Sequence, residues 1–246
     1  LLTNALVSRR LAQSLGRQRL TGMKDHIIVV GLGAVGSKVA LDLHDAGYEV
    51  AVIDDGNGER FFPQMKAVGV PVLVGDATLP ETQADAGVSR AAGVAVLTSN
   101  DLVNIETGLA VRDVTGDKPI PIVLRVFGRS LARVVGEVLS AGVTRSIAEL
   151  AAPWFVGAAL GLEVIGTFYV GSTPFMAARI WVRGGGGLDG MSMQDLGTST
   201  RVVAIQRAGD PSRLEHPVRR DTVFRAGDSA FLVGQYEDLV DLLRRA

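Results

Sequence analysis

Over the first 150 positions, apolar residues come in short unbroken runs separated by longer stretches of helical period. His26–Val30 (HIIVV), Tyr48–Asp54 (YEVAVID), Val70–Val74, Gly93–Leu97 and Ile120–Arg125 are runs of the kind found in strands covered on both faces. Between them, Ala34–Ala46, Arg60–Val68, Asp101–Val114 and Arg129–Leu139 predict helices, and Pro80–Ala86 predicts helical turns. Val143–Ser146 adds a sixth strand. Strands alternating with helices of this length predict βαβ units and a parallel sheet with helices on both faces.

The rhythm changes near residue 147. Ile147–Leu160 is rich in Ala and carries Trp154 and Phe155, with apolar residues on more than one face. A helix of that kind packs on two sides, which predicts a crossover or dimer contact. Beyond it, Ala177–Val182, Arg201–Gln206 and Ser229–Val233 read as strands, Gly184–Gly187 and Ala226–Asp228 as turns, and Tyr236–Arg245 as a closing helix. The expected architecture is an α/β Rossmann-type doubly wound parallel sheet followed by a smaller α+β C-terminal domain. The expected boundaries are 1–24 (a basic helical linker), 25–146 (the nucleotide-binding domain), 147–162 (the crossover helix) and 163–246 (the C-terminal domain).

Composition narrows the function classes. The 246 residues carry 25 Lys and Arg against 26 Asp and Glu, so nothing global points to nucleic acid. The absence of Cys excludes disulfides, thiolate catalysis and Cys-ligated zinc. His26, His44 and His216 are scattered, which argues against a His metal site or a catalytic cluster; no metal site is expected. No run reaches the roughly 18 apolar residues of a membrane span; the nearest, Leu150–Leu162, stops at Glu163. Residues 1–24 hold Arg9, Arg10, Arg17, Arg19 and Lys24 and no acid. With Leu1, Leu2, Leu6 and Val7 ahead of them, they read either as an ordinary helical leader or as a segment lying beside anionic lipid. The chain begins with Leu rather than Met and is read as a piece of something longer.

Gly31-Leu32-Gly33-Ala34-Val35-Gly36 is a G-x-G-x-x-G that follows a strand and opens a helix. Gly31 permits the tight turn, Gly33 removes the side chain that would block a pyrophosphate, and Gly36 lets helix and strand approach closely. The helix N-terminus then offers N–H groups and a positive dipole end to a phosphate. Asp54 ends the second strand about 20 residues on, where an acid reads ribose hydroxyls and repels a 2′-phosphate; Asp55 is adjacent. Polar turns follow the later strands. Asp76 and Ala77 follow the third, with Asp76 either meeting an adenine amino edge or capping a helical turn. Thr98, Ser99 and Asn100 follow the fourth, with Asn100 and Asp101 also able to cap the next helix. Arg125 ends the fifth, for phosphate or for a structural ion pair. In the second half, Arg201, Arg207, Arg213, Arg219 and Arg220 make either an anion site between subunits or a solvated basic face.

GLGAVG at 31–36, VID at 52–54, GDAT at 75–78 and T-x-x-D-x-x-N at Thr98, Asp101 and Asn104 resemble the regulator-of-potassium-conductance family. Its members are the nucleotide-binding domains of Trk-type and Ktr-type potassium uptake systems and of ligand-gated potassium channels. Gly187–Leu196, Val202–Ile205 with Arg207, and Gly227–Gly234 resemble that family's C-terminal ligand domain, so the resemblance covers residues 25–246. It implies a homodimer contacting through the helix at 147–160, assembly into a higher-order ring, and a membrane potassium channel or transporter pore as partner at the cytoplasmic face of the cell membrane. Some ATP-binding members carry Arg where this chain has Ala34, which favours NAD or NADH over ATP; ADP and AMP remain open. A nucleotide sensor, not an enzyme, is the expected role. The alternative is an NAD-dependent oxidoreductase with a small C-terminal domain. Against it, none of the three His lies where an acid/base would serve a nicotinamide.

Overall fold

The structure is a computed structural model that describes residues 20–116, 120–128, 131, 135, 142–170, 173–196, 200–210 and 212–245. The expected helix Arg129–Leu139 lies, apart from Leu131 and Val135, outside the described residues, as does the basic leader up to residue 19. The chain divides between Ile147 and Ala148 into two compact units.

In the first unit the order is β1 (Ile27–Val30), α1 (Ala34–Asp45), β2 (Val50–Asp54), α2 (Phe62–Val68), β3 (Val72–Val74), α3 (Pro80–Ala86), β4 (Gly93–Val96), α4 (Asp101–Thr115), β5 (Ile122–Val126) and β6 (Gly142–Ser146). The strands form one sheet in the order β3-β2-β1-β4-β5-β6, and every pairing is parallel. Alternate residues of β1 and β2 pack on opposite layers. Ile28, Val30, Ala51 and Ile53 share one core; Val29, Val50 and Val52 share the other. This explains the unbroken apolar runs, since both faces must leave water. β3 and β5 start later than the apolar runs because Pro71 and Pro121 have no N–H to give to a ladder. Leu20 is fully buried in the first of these cores, so packed structure begins before residue 25.

Because β1 lies between β2 and β4, its two neighbouring crossovers leave in opposite directions. A crevice opens at the carboxyl ends of the strands at that point, where ligands sit in sheets of this kind.

The second unit holds α5 (Ile147–Ala159, nearly all of it), β7 (Glu163–Val170), β8 (Thr173–Trp181), β9 (Arg201–Gln206), β10 (Leu214–Glu215), β11 (Ser229–Gly234) and α6 (Tyr236–Arg245). Its strands form an antiparallel sheet in the order β10-β9-β11-β8-β7. Met176, Ala178 and Ile180 on β8 meet Leu239 and Leu242 of α6 in one core. α5 approaches the sheet at Gly157, where an added Cβ would lie 2.6 Å from the Met176 side chain. α5 also exposes Leu150, Trp154 and Phe155, and Leu160 just beyond its end is exposed too. Sequence pattern missed β7 because its register shifts between Val164 and Gly166, and a bulge breaks the two-residue alternation that marks a strand. Among the described residues, no helix is long and apolar enough to cross a membrane.

Candidate functional site

The crevice is built around the turn that links β1 to α1. Gly31 leaves the strand at a φ of 90°, a conformation glycine adopts without steric cost, and a Cβ there would lie 2.9 Å from Thr98. Gly36 sits against the start of the same turn, and its missing Cβ would lie 1.8 Å from the Gly31 carbonyl oxygen. Gly33 differs, because a Cβ added to it would meet nothing within 4 Å. No neighbour demands glycine there, and the bare backbone faces open space. Gly33 is also the N-cap of α1, and no side chain caps the helix. Backbone N–H groups at a helix start without a side-chain acceptor form a place for an anion.

Asp54 organises the turn. Its carboxylate is buried at 5% exposure. It accepts N–H bonds from Leu32 (2.7 Å), Gly56 (2.8 Å) and Gly58 (2.8 Å). Two of these fall on Oδ1 and one on Oδ2, so Oδ2 keeps acceptor capacity for a further donor such as a sugar hydroxyl. Gly58 lacks a side chain because its Cβ would lie 2.5 Å from the Leu32 carbonyl oxygen. Asp55 is exposed and is engaged by the backbone and side-chain amides of Asn57.

After β3, Asp76 accepts bonds from the Thr78 hydroxyl (2.7 Å) and N–H (2.9 Å). The hydroxyl first, and the N–H second, hold its pKa below the ordinary carboxylate value, so it is ionised at neutral pH. The Ala77 carbonyl accepts from buried Gln83.

After β4, Thr98 is held by Asn104, a residue with no exposed surface. The Asn104 side-chain oxygen accepts from the Thr98 N–H (3.1 Å) and hydroxyl (2.6 Å), while its amide donates to the carbonyls of Thr98 (3.0 Å) and Arg125 (2.8 Å). The side chain thus ties the ends of β4 and β5 together. Leucine in its place leaves these groups unpaired, and Asn104→Leu is expected to lower stability by about 3 kcal/mol in urea unfolding. Asn100 caps α4, its side chain accepting from the N–H groups of Leu102 and Val103. Arg125 donates to the Thr98 carbonyl at 3.3 Å.

These groups line a cavity of about 830 Å³, with Gly31, Leu32, Gly33, Ala34, Val35, Asp54, Asp55, Asp76, Ala77, Thr98, Ser99, Asn100 and Arg125 all on its wall. Gly36 lies beneath the turn rather than on the wall. Sequence reasoning missed Asn57, Gly58, Arg60, Phe61 and Val103, which also line it. The glycine at 58 was the available signal, since it follows the ribose-type acid in a polar loop. His26, His44 and His216 are not on the wall. No group of three or more His, Asp or Glu that could hold a metal occurs among the described residues.

Within one chain, the arginines of the second half stand in two kinds of surroundings. Arg207 is drawn into an ion-pair cluster, donating to Glu215 (2.8 Å) and to Asp228 (2.6 Å). Arg201, Arg213, Arg219 and Arg220 are exposed.

Residues 27–147 match the TrkA-N domain family. That match takes in the whole parallel sheet, from β1 to β6. The chain is 30% identical, over 89% of its length, to a Trk system potassium uptake protein TrkA homolog of Archaeoglobus fulgidus, and covers 49% of that protein. It is 22% identical, over 92% of its length, to potassium channel protein 1 of Methanocaldococcus jannaschii, and covers 68% of that protein. The chain therefore spans about half of the first relative and two thirds of the second. The fold is that of the GsuK channel bound to NAD, with a TM-score of 0.56 at 19% identity over 99% of this chain and 45% of the channel. The TrkA-N domain of the inner membrane protein YbaL of Escherichia coli superposes with a TM-score of 0.50 at 20% identity, covering 56% of this chain and 98% of that domain.

Proposed function

We propose that this chain is a nucleotide-sensing regulatory module of a potassium channel or transporter, and that it takes NAD, NADH or an adenine nucleotide in the crevice between the β1–α1 turn and Asp54. The observation that carries this reading is Gly33, bare, uncapped and facing open space beside a carboxylate already fixed by three N–H groups. A phosphate finds backbone donors there, and a ribose hydroxyl finds a preorganised acceptor. Preorganisation matters because binding then costs little ordering of the site. The NAD-bound GsuK channel supports the same choice of ligand. The wall has no histidine to serve as acid or base beside a nicotinamide, which favours sensing over hydride transfer.

A sensor works by population shift. Nucleotide moves the equilibrium between two arrangements of the assembled regulator only if it binds one more tightly than the other. The exposed apolar residues of α5, Leu150, Trp154 and Phe155, support a homodimer contact, within a ring under the pore at the cytoplasmic membrane face. Potassium flux through vesicles holding the intact protein and its pore tests the reading, with NAD, NADH, ATP, ADP or AMP added in turn. At least one nucleotide is expected to change the flux. Identical flux with and without every one of them overturns the regulatory role.

A further inference from the structure

Two cations line the cavity, Arg60 and Arg125. Arg125 is anchored to the Thr98 carbonyl. The Arg60 side chain has no ion pair or hydrogen bond among the described residues. Its guanidinium carbon instead lies 4.7 Å from the centre of the Phe61 ring, and Phe61 lines the same cavity. Its position follows from the loop before it. Asp54 pins the N–H groups of Gly56 and Gly58, and Gly58 starts the single 3-10 turn Glu59–Phe61. The carboxylate expected to hold the sugar therefore also sets where this guanidinium stands.

The surroundings decide what a cation here reads. Asp54, Asp55 and Asp76 line the cavity with it, so a second anionic group at this end would meet carboxylates. A neutral, electron-rich ring would not. A guanidinium is planar and stacks on aromatic faces, which an ammonium does not do equally. Phe61 lies against this guanidinium on one side, and Arg60 is otherwise exposed.

We propose that Arg60 is a ligand-contact residue whose guanidinium, backed by Phe61, lies against the face of the adenine ring. This rests on the nucleotide reading above and adds a residue that selects for the base. Titration calorimetry with AMP and with NAD, on wild type, Arg60→Ala and Arg60→Lys, tests it. Arg60→Ala is expected to weaken both ligands by the same factor, roughly fivefold to thirtyfold. The loss should be equal at low and high salt, and lysine should not restore it. Thermal melting of both variants is expected to match wild type, because Arg60 is exposed. Unchanged affinity in Arg60→Ala overturns the assignment. So does recovery with lysine, or a loss that vanishes at high salt, since either outcome means the cation serves a phosphate. If wild type binds neither AMP nor NAD, the nucleotide reading itself fails; if only the variant pattern departs, this assignment alone fails.

Discussion

Asp54→Ala is expected to bring nucleotide binding below detection and to destabilise the first unit by about 3 kcal/mol. The two losses have one origin. Three backbone N–H groups, from Leu32, Gly56 and Gly58, converge on this carboxylate. Hydrogen bonds to a charged acceptor contribute about 1.5–3 kcal/mol each. Gly56 can turn to water after truncation, so the three do not simply add. The Leu32 N–H is buried and cannot. Without its acceptor, the turn that presents Gly33 is no longer held against the β2 loop. Chemical denaturation measures the stability loss, and calorimetry on the still-folded variant at low temperature measures the binding loss. Asp54→Asn separates the roles, because it keeps one oxygen acceptor but sets an amide donor against a backbone N–H. Stability should fall partway with asparagine, while binding stays absent.

The second large effect lies in the other unit. Asp228 is 2% exposed and has Arg207 as its counter-charge at 2.6 Å. It also accepts from the N–H groups of Ala208 and Arg225. Burial works against the charged form of Arg207. The hydrogen bonds and charges of Asp228 and Glu215 outweigh it, so the guanidinium holds its proton more firmly than usual. Arg207→Met keeps much of the side-chain volume and removes the charge, which strands a buried carboxylate. Breaking a buried pair from one side costs about 3–5 kcal/mol, and the variant is expected to lose stability near the lower end because two N–H donors remain. The loss should appear in unfolding of the second unit and leave nucleotide affinity in the first unchanged. Asp228→Asn with Arg207→Met should recover part of it, since no uncompensated charge then remains.

How much of this was legible in the sequence follows from what each residue needs. The glycine turn was legible because Gly31 and Gly36 are required by backbone geometry alone, and the spacing to Asp54 is fixed by one α-helix and one strand. The parallel sheet was legible because its strands are apolar without alternation. Asp54 was expected at the end of the second strand and stands there, but its three N–H partners depend on how residues 55–58 fold back on the turn, and no local pattern encodes that. Arg60 escaped notice because its place depends on a single 3-10 turn after that loop. Arg207 was grouped with exposed arginines because its partners lie 8 and 21 residues away, outside any local window. Asn104 stood in a recognisable motif, yet its tie between β4 and β5 is a contact across strands that only the sheet order reveals.

The proposed function requires a phosphate-bearing adenine compound to rest on the bare backbone at Gly33. Titration of wild type and Gly33→Val with NAD tests it most directly. The valine meets no protein atom within reach of its Cβ and sits at a φ of −87°, so folding should be little changed while the space for phosphate is filled. Saturable binding by wild type and none by a folded Gly33→Val is the predicted result. A valine variant that binds NAD as tightly as wild type would mean that no phosphate sits at Gly33.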